Sequence, residues 1–280
     1  MYKYSFSVNR IFKHFTCKNR NFQKWTADFI QYSEEVSESI LKRKPIVALE
    51  STVITHGLPY PENLNTAIEM ENVVRKNKAV PATIGILDGI VHVGLTAKNL
   101  EILASKQKSF IKVSRRDMPY VITKGLSGGT TVAGTMLLAH RAGIPLFVTG
   151  GIGGVHRGAE TTMDISADLY ELSRTPMTVV SAGVKSILDI GLTLEYLETL
   201  GVCVATFGSS KMFPAFFTPY SKFSSACNVE TYSEAAQLID YRDRLDLKSG
   251  LLLAVPIPES FQEDGQRTEM VIEEALKDAK

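Results

Sequence analysis

Short apolar runs rich in valine, isoleucine and leucine recur at 45–49, 83–87, 90–93, 110–113, 144–149, 178–182, 202–206 and 250–255. Several are continuous rather than alternating, which predicts strands buried on both faces, as in a parallel sheet. Stretches of helical period lie between them. Leu64, Ile68, Met70, Val73 and Val74 supply one face of a helix that opens at Glu62 or Asn63 and runs to about Asn77, and Thr96 caps a surface helix at 96–106. Further helices are expected at 132–142, 233–242 and 268–279, with two more at 186–190 and 193–200 separated by Gly191. Strands alternating with helices define an α/β protein.

Turn chemistry refines this picture. Asp88-Gly89 stands between two apolar runs and predicts a two-residue hairpin, so Asp88 is a turn residue rather than a catalyst. Residues 55–61 are too rich in proline for a regular element. Residues 28–44 read as a polar helix, with Glu34, Glu35 and Glu38 ahead of Lys42, Arg43 and Lys44, and the folded core is expected to begin at Pro45. That divides the chain into an N-terminal extension, 1–44, and one domain, 45–280. No internal repeat or low-complexity segment is visible.

Composition narrows the class. With 280 residues, 44% of them hydrophobic and 22% charged, the chain has the make-up of a globular protein with a sizeable core. A net charge of +1 gives no reason to expect nucleic acid as a partner, and no apolar run approaches the roughly 20 residues needed to span a membrane. Residues 1–27 hold six basic side chains and no acid, interleaved with Phe6, Ile11, Phe12, Phe15, Phe22 and Trp25. Both an amphipathic mitochondrial transit segment and a leader without function fit that pattern. The expected location is intracellular, mitochondrial or cytoplasmic. Cys17, Cys203 and Cys227 match no zinc spacing and are read as reduced thiols.

Candidate chemistry gathers where runs meet glycine. Glu50 follows the first run, at the strand end where ligands bind in open α/β sheets; most such carboxylates are solvated, and some are acids of a site. Lys112, Arg115 and Arg116 form a basic end; such a cluster is usually solvated, and beside a phosphate-sized pocket it would act as an anion clamp. Gly125-Leu126-Ser127-Gly128-Gly129-Thr130-Thr131 leads into a helix, placing N–H groups and the positive end of the helix dipole together with the Thr130 and Thr131 hydroxyls. Neither the Walker pattern nor the dinucleotide fingerprint is present, which argues against a nucleoside triphosphate and leaves a single phosphate compatible with the turn. In Gly150-Gly151-Ile152-Gly153-Gly154-Val155-His156-Arg157-Gly158, His156 could relay a proton or brace the loop, with phosphate or substrate contact the preferred reading.

Asp164, Asp168 and Glu171, at i, i+4 and i+7, predict a helix with one carboxylate face beside an apolar face of Ile165, Leu169 and Leu172. Asp164 and Asp168 would suit a hard cation such as Mn²⁺ or Mg²⁺; solvated or capping carboxylates are the plainer alternative. Lys185 ends the 178–182 run. A lysine there either loses hydration and becomes an amine nucleophile or extends its ammonium to water. Phe213-Pro214-Ala215-Phe216-Phe217 fills core, joins subunits or walls a ring. Together these residues point to chemistry on a sugar phosphate, with aldolase, isomerase and glycosidase all left open.

Longer blocks narrow the choice: Ala48-Leu49-Glu50-Ser51-Thr52-Val53-Ile54-Thr55-His56-Gly57-Leu58-Pro59-Tyr60-Pro61, Lys112-Val113-Ser114-Arg115-Arg116-Asp117, Gly128-Gly129-Thr130-Thr131, residues 149–160, Asp164-Ile165-Ser166-Ala167-Asp168 and residues 181–189. In these the sequence resembles the pseudouridine-5′-phosphate glycosidase family from about Pro45 to about Pro258. The resemblance implies a homotrimeric three-layer α/β/α enzyme with a central, mostly parallel sheet. It implies one Mn²⁺ per subunit and reversible cleavage of pseudouridine 5′-phosphate into uracil and ribose 5-phosphate. Lys185 is then the nucleophile that forms an imine at C1′ of the ring-opened ribose, and Glu50 the proton donor. Asp164 is the metal ligand, and Lys112, Val132, Ser166, Ala167 and Asp168 contact substrate. Family members are expected to continue past the last helix here, so a shortened chain acting as a silent sugar-phosphate binder or assembly subunit is one alternative. A Schiff-base pentose-phosphate aldolase or isomerase is the other.

Overall fold

The computed structural model describes residues 27–105 and 110–278. The basic leader therefore falls, up to residue 26, outside the described residues. Among the described residues no helix is long and apolar enough to cross a membrane. The chain divides into two compact units, Met1–Val148 and Thr149–Lys280. The α/β class holds, with sheets whose strand pairs are mostly parallel.

The first unit runs β1 (Ile30–Tyr32), α1 (Glu34–Leu41), β2 (Ile46–Leu49), α2 (Glu62–Lys76), β3 (Val80–Leu87), β4 (Ile90–Val93), α3 (Ala97–Ser105), β5 (Ile111–Val113), α4 (Met118–Thr123), β6 (Gly128–Thr130), α5 (Val132–Arg141) and β7 (Leu146–Val148). Its sheet order is β1-β4-β3-β2-β7, with β6 paired to β3 and β5 to β6. Parallel partners on both sides, β3 and β7, explain why all four residues of β2 are buried. Asp88 (φ 49°) and Gly89 (φ 76°) both take the left-handed conformation of a tight hairpin between β3 and β4, as the sequence predicts. Ser127 holds Asp88 there, accepting from its backbone N–H at 2.8 Å.

Upstream of Pro45 the structure differs from the expected polar helix. Residues 30–32 form β1, a parallel edge strand on β4. Ser33 then caps α1, and Val36 and Ile40 are buried. The charges at Glu34, Glu35 and Glu38 mask a hydrophobic pair at i and i+4, which is enough to seat one face of a short helix. Core packing therefore begins well before Pro45.

The second unit runs β8 (Val155–His156), α6 (Ala159–Thr162), α7 (Ala167–Arg174), β9 (Thr178–Ser181), β10 (Leu188–Asp189), α8 (Ile190–Thr199), β11 (Cys203–Phe207), β12 (Cys227–Val229), α9 (Tyr232–Arg244), β13 (Leu251–Ala254) and α10 (Gln262–Asp278). Its main sheet, β9-β13-β11-β12, is wholly parallel. β8 and β10 form a separate antiparallel pair. Two helices broken at Gly191 are not what forms. Residues 188–189 pair with β8, and a single α8 starts at Ile190, capped by the Asp189 carboxylate accepting from Leu192 N–H at 2.9 Å. Gly191 sits in the first turn, where a Cβ would meet the Phe223 ring at 2.7 Å, so the glycine serves packing rather than breakage.

Candidate active site

In the first unit the site residues follow β2. Glu50, expected to be solvated when judged alone, is only 7% exposed. Beside it Ser51 is wholly buried; its hydroxyl donates to Ile84 C=O at 2.6 Å and accepts from Thr130 N–H at 2.9 Å. That one side chain ties the end of β2 to β3 and to the glycine-rich turn. The chain then makes a π-helical turn, Val53–Gly57, in which Thr55 Oγ1 lies 2.7 Å from His56 Nδ1. Partial loss of hydration, with repulsion from the Lys112 ammonium, pushes the His56 imidazole below its ordinary pKa. Lys112 itself is exposed on β5, in register with Gly129.

The turn into α5 is less open than its composition suggests. A Cβ on Gly128 would lie 2.2 Å from Ile111 C=O, and one on Gly129 would lie 2.3 Å from Thr55 Oγ1 and 2.7 Å from Ser51 C=O. These glycines admit neighbouring backbone rather than an anion. Thr130 is fully buried, its hydroxyl donating to Ile84 C=O at 2.8 Å and lying 2.8 Å from Thr135 Oγ1. Thr131 N–H donates to Val113 C=O, and the Thr131 hydroxyl caps α5 by accepting from Gly134 N–H at 3.2 Å. The Val132 side chain is buried at the first helical position, which leaves only its backbone for any ligand contact.

In the second unit the expected carboxylate face does not form. The helix begins only at Ala167, because Ser166 caps it with its hydroxyl accepting from Asp168 N–H at 3.3 Å. Asp164 lies in the preceding loop, its side chain 64% exposed and 3.7 Å from His156 Nδ1. Asp168 is buried and accepts from Gly153 N–H at 2.9 Å. Glu171 is completely buried; it accepts from Arg174 at 2.8 Å and from Thr175 Oγ1 at 2.6 Å. Glu171 is thus a packing carboxylate. Ser166 is half-buried and Ala167 exposed.

Lys185 is half-buried. Its backbone is fixed from both sides, its N–H donating to Ile152 C=O at 3.1 Å and its C=O accepting from Leu188 N–H at 3.0 Å. The glycine run at 150–154 faces this turn, and the space beside three of its glycines is again filled by neighbours. A Cβ on Gly151 would meet the Phe216 ring at 2.4 Å, on Gly153 the Ser166 hydroxyl at 2.1 Å, and on Gly154 the Thr193 hydroxyl at 2.4 Å. The aromatic loop divides its work: Phe213 is fully buried core, while Phe216 lies over the glycines. Thr193, which the sequence does not single out, accepts from Val155 N–H at 2.9 Å and donates to Asp189 C=O at 2.6 Å. Only its helical position hinted at burial.

Among the described residues no three His, Cys, Asp or Glu side chains are placed to hold a metal ion. Asp164 and His156 supply a carboxylate and an imidazole in an open setting, a donor set suited to a divalent cation that keeps most of its water. A cavity of about 860 Å³ in the second unit, lined in part by Asp189, Glu195, Cys203 and Lys222, includes none of the predicted site residues.

The chain belongs to the family described as indigoidine synthase A-like proteins, whose model matches residues 35–280, and its relatives there include the pseudouridine-5′-phosphate glycosidases. It is 51% identical over 251 residues to the pseudouridine-5′-phosphate glycosidase of Clostridium botulinum, covering 90% of this chain and 81% of that protein. Two solved structures share the fold. Prealnumycin C-glycosynthase AlnA, in complex with ribulose 5-phosphate, superposes with a TM-score of 0.82 at 41% identity, covering 90% of this chain and 82% of that one. An indigoidine synthase A-like protein from Thermotoga maritima gives 0.77 at 33% identity, covering 88% and 80%.

Proposed function

We propose that this protein reversibly splits pseudouridine 5′-phosphate into uracil and ribose 5-phosphate through an imine on Lys185. The observation that carries the proposal is a half-buried lysine on a turn whose backbone is pinned on both sides, in a chain about half identical to glycosidases of that name. The bond to be cut joins two carbons, so protonating a nitrogen or oxygen leaving group cannot release the base. In this mechanism the Lys185 amine bonds to C1′ as the C1′–O4′ bond breaks, and Glu50 gives its proton to O4′. The bound amine then loses a proton, its lone pair forms C1′=N as the C1′–C5 bond breaks, and the released electron pair on uracil C5 takes up that proton, leaving an iminium on the lysine. Water hydrolyses it to ribose 5-phosphate and the free amine.

Glu50, buried at the end of β2, is the proposed proton donor. Asp168, fixed by Gly153 N–H, together with Ser166 and Ala167 at the start of α7, would orient substrate. Lys112, the Val132 backbone, Thr131 and His156 would meet its oxygen atoms; Thr130, whose hydroxyl is engaged internally, would act by holding the turn. Mn²⁺ held by Asp164 would supply fixed positive charge for substrate oxygens. A homotrimer is the proposed assembly, to be checked by sedimentation. The direct test is to incubate the protein with Mn²⁺ and ribose 5-phosphate, add borohydride, and map the product by peptide mass spectrometry. A reduced pentose phosphate on Lys185 is expected; an adduct on another lysine would refute the assignment.

A further inference from the structure

The π-helical turn after β2 holds a histidine that the proposed reaction leaves without a task. Ser51 C=O already accepts from Ile54 N–H at 3.0 Å and Thr55 N–H at 3.1 Å, which occupies both of its lone pairs. The Thr55 hydroxyl, 3.3 Å from that same oxygen but 2.7 Å from His56 Nδ1, has its better acceptor in the imidazole. Thr55 therefore donates to Nδ1, and the neutral ring carries its proton on Nε2, the nitrogen Thr55 does not engage. Packing fixes the donor itself. Thr55 Oγ1 presses on the Cα of Gly129, where a Cβ would lie 2.3 Å away, and Gly129 is the register partner of Lys112. His56 is exposed, and the Lys112 charge acts on it.

We propose that His56 Nε2–H and the Lys112 ammonium together bind one phosphate monoester, with His56 a substrate-binding residue that reads the anion through a tautomer set by Thr55. Two donors of different kinds suit a tetrahedral dianion: the ammonium supplies charge and the neutral imidazole supplies direction. Gly129 has to be glycine for Thr55 to reach the ring, which connects the glycine pair to anion binding indirectly. The site stands on this geometry alone; only the identity of the ester, the 5′-phosphate of the nucleotide, rests on the proposed function.

The test uses the whole chain with histidine labelled at Cε1 and inorganic phosphate as the probe, followed by proton–carbon NMR. The His56 signal, assigned by its loss in His56→Gln, is expected to move with phosphate along a saturable curve, and Lys112→Met is expected to remove the response. His56→Gln keeps an outward N–H donor in the place of Nε2 and should bind phosphate within about threefold of the parent. His56→Asn, whose amide is too short to reach that place, should bind about tenfold more weakly. Phosphate that binds without moving the His56 signal overturns the proposal, as does a protein that takes up no phosphate. Equal weakening in Gln and Asn overturns the tautomer argument. Borohydride trapping on Lys185, run in parallel, separates the two claims: a labelled Lys185 beside an unmoved His56 would leave the glycosidase mechanism standing and remove only this site.

Discussion

Replacing Gly129 by alanine tests whether the glycine pair ahead of α5 serves packing. The new methyl carbon would stand 2.7 Å from Ser51 C=O and 2.9 Å from Ser51 carbonyl carbon, some 0.7 and 0.5 Å inside the 3.4 Å of ordinary contact. Neither atom can move cheaply. That carbonyl accepts two backbone N–H groups, and the Ser51 hydroxyl is held by Ile84 and Thr130 at 2.6 and 2.9 Å. Overpacking against fixed backbone costs about 1–3 kcal/mol, and with three atoms in conflict the upper end, about 3 kcal/mol, is expected. Gly150→Ala is the control: its nearest neighbour is the Phe216 ring at 3.9 Å and its φ is not positive, so it should be neutral or gain up to about 1 kcal/mol through the unfolded state. Urea unfolding would show Gly129→Ala losing about 1 M in midpoint for a slope near 3 kcal/mol/M, with Gly150→Ala unmoved. A Gly129→Ala loss below about 0.5 kcal/mol, or an equal loss in both variants, would refute the packing account.

Three further outcomes follow from the geometry. Lys185→Arg keeps the charge but has no amine able to form an imine, so uracil release should fall by at least about 1,000-fold with folding retained by circular dichroism. Asp189→Ala removes the cap of α8, whose carboxylate accepts from Leu192 N–H at 2.9 Å, and should cost about 1 kcal/mol in thermal unfolding. Glu269 on α10 has its carboxyl pushed above the usual range by burial, with Arg157 and a hydrogen bond from the Phe217 backbone opposing and Glu273 adding to the shift, and its Oε1 has no hydrogen-bond partner among the described residues. A carboxyl whose folded pKa is raised favours the fold while protonated and loses that contribution as pH rises through the folded value. Glu269→Gln should therefore raise the melting temperature at pH 7 and leave it little changed at pH 4; a lower melting temperature at pH 7 would contradict the assignment.

What could be read along the chain were features decided by a few consecutive residues. The continuous run 45–49 reads as a doubly covered strand because both faces of β2 are apolar. Asp88-Gly89 reads as a hairpin because few pairs tolerate two positive φ angles. Thr96 and Thr131 act as helix caps at the positions where hydroxyls precede an apolar period. The same locality explains the misses. Asp164, Asp168 and Glu171 have perfect helical spacing, but spacing does not say where a helix begins, and Ser166 starts it two residues after Asp164. At 28–44 the charges conceal two buried side chains and a strand of three residues, too short to show a period.

By itself, then, the sequence determined the α/β class, the order of its principal elements and, through long blocks shared with a family, which residues deserve attention. Tertiary structure decided what those residues can do. Whether Glu50 is solvated or buried, and whether glycines at 128–129 and 150–154 cradle a ligand or admit a neighbour, depends on atoms far along the chain: Ser51 meets Ile84 and Thr130, and Gly154 meets Thr193. Glycine is the extreme case, since with no side chain it carries no mark of what occupies the space it leaves. Electrostatic environment is set in the same way, because the field at His56 comes from Lys112, on a strand that only the folded sheet brings to it.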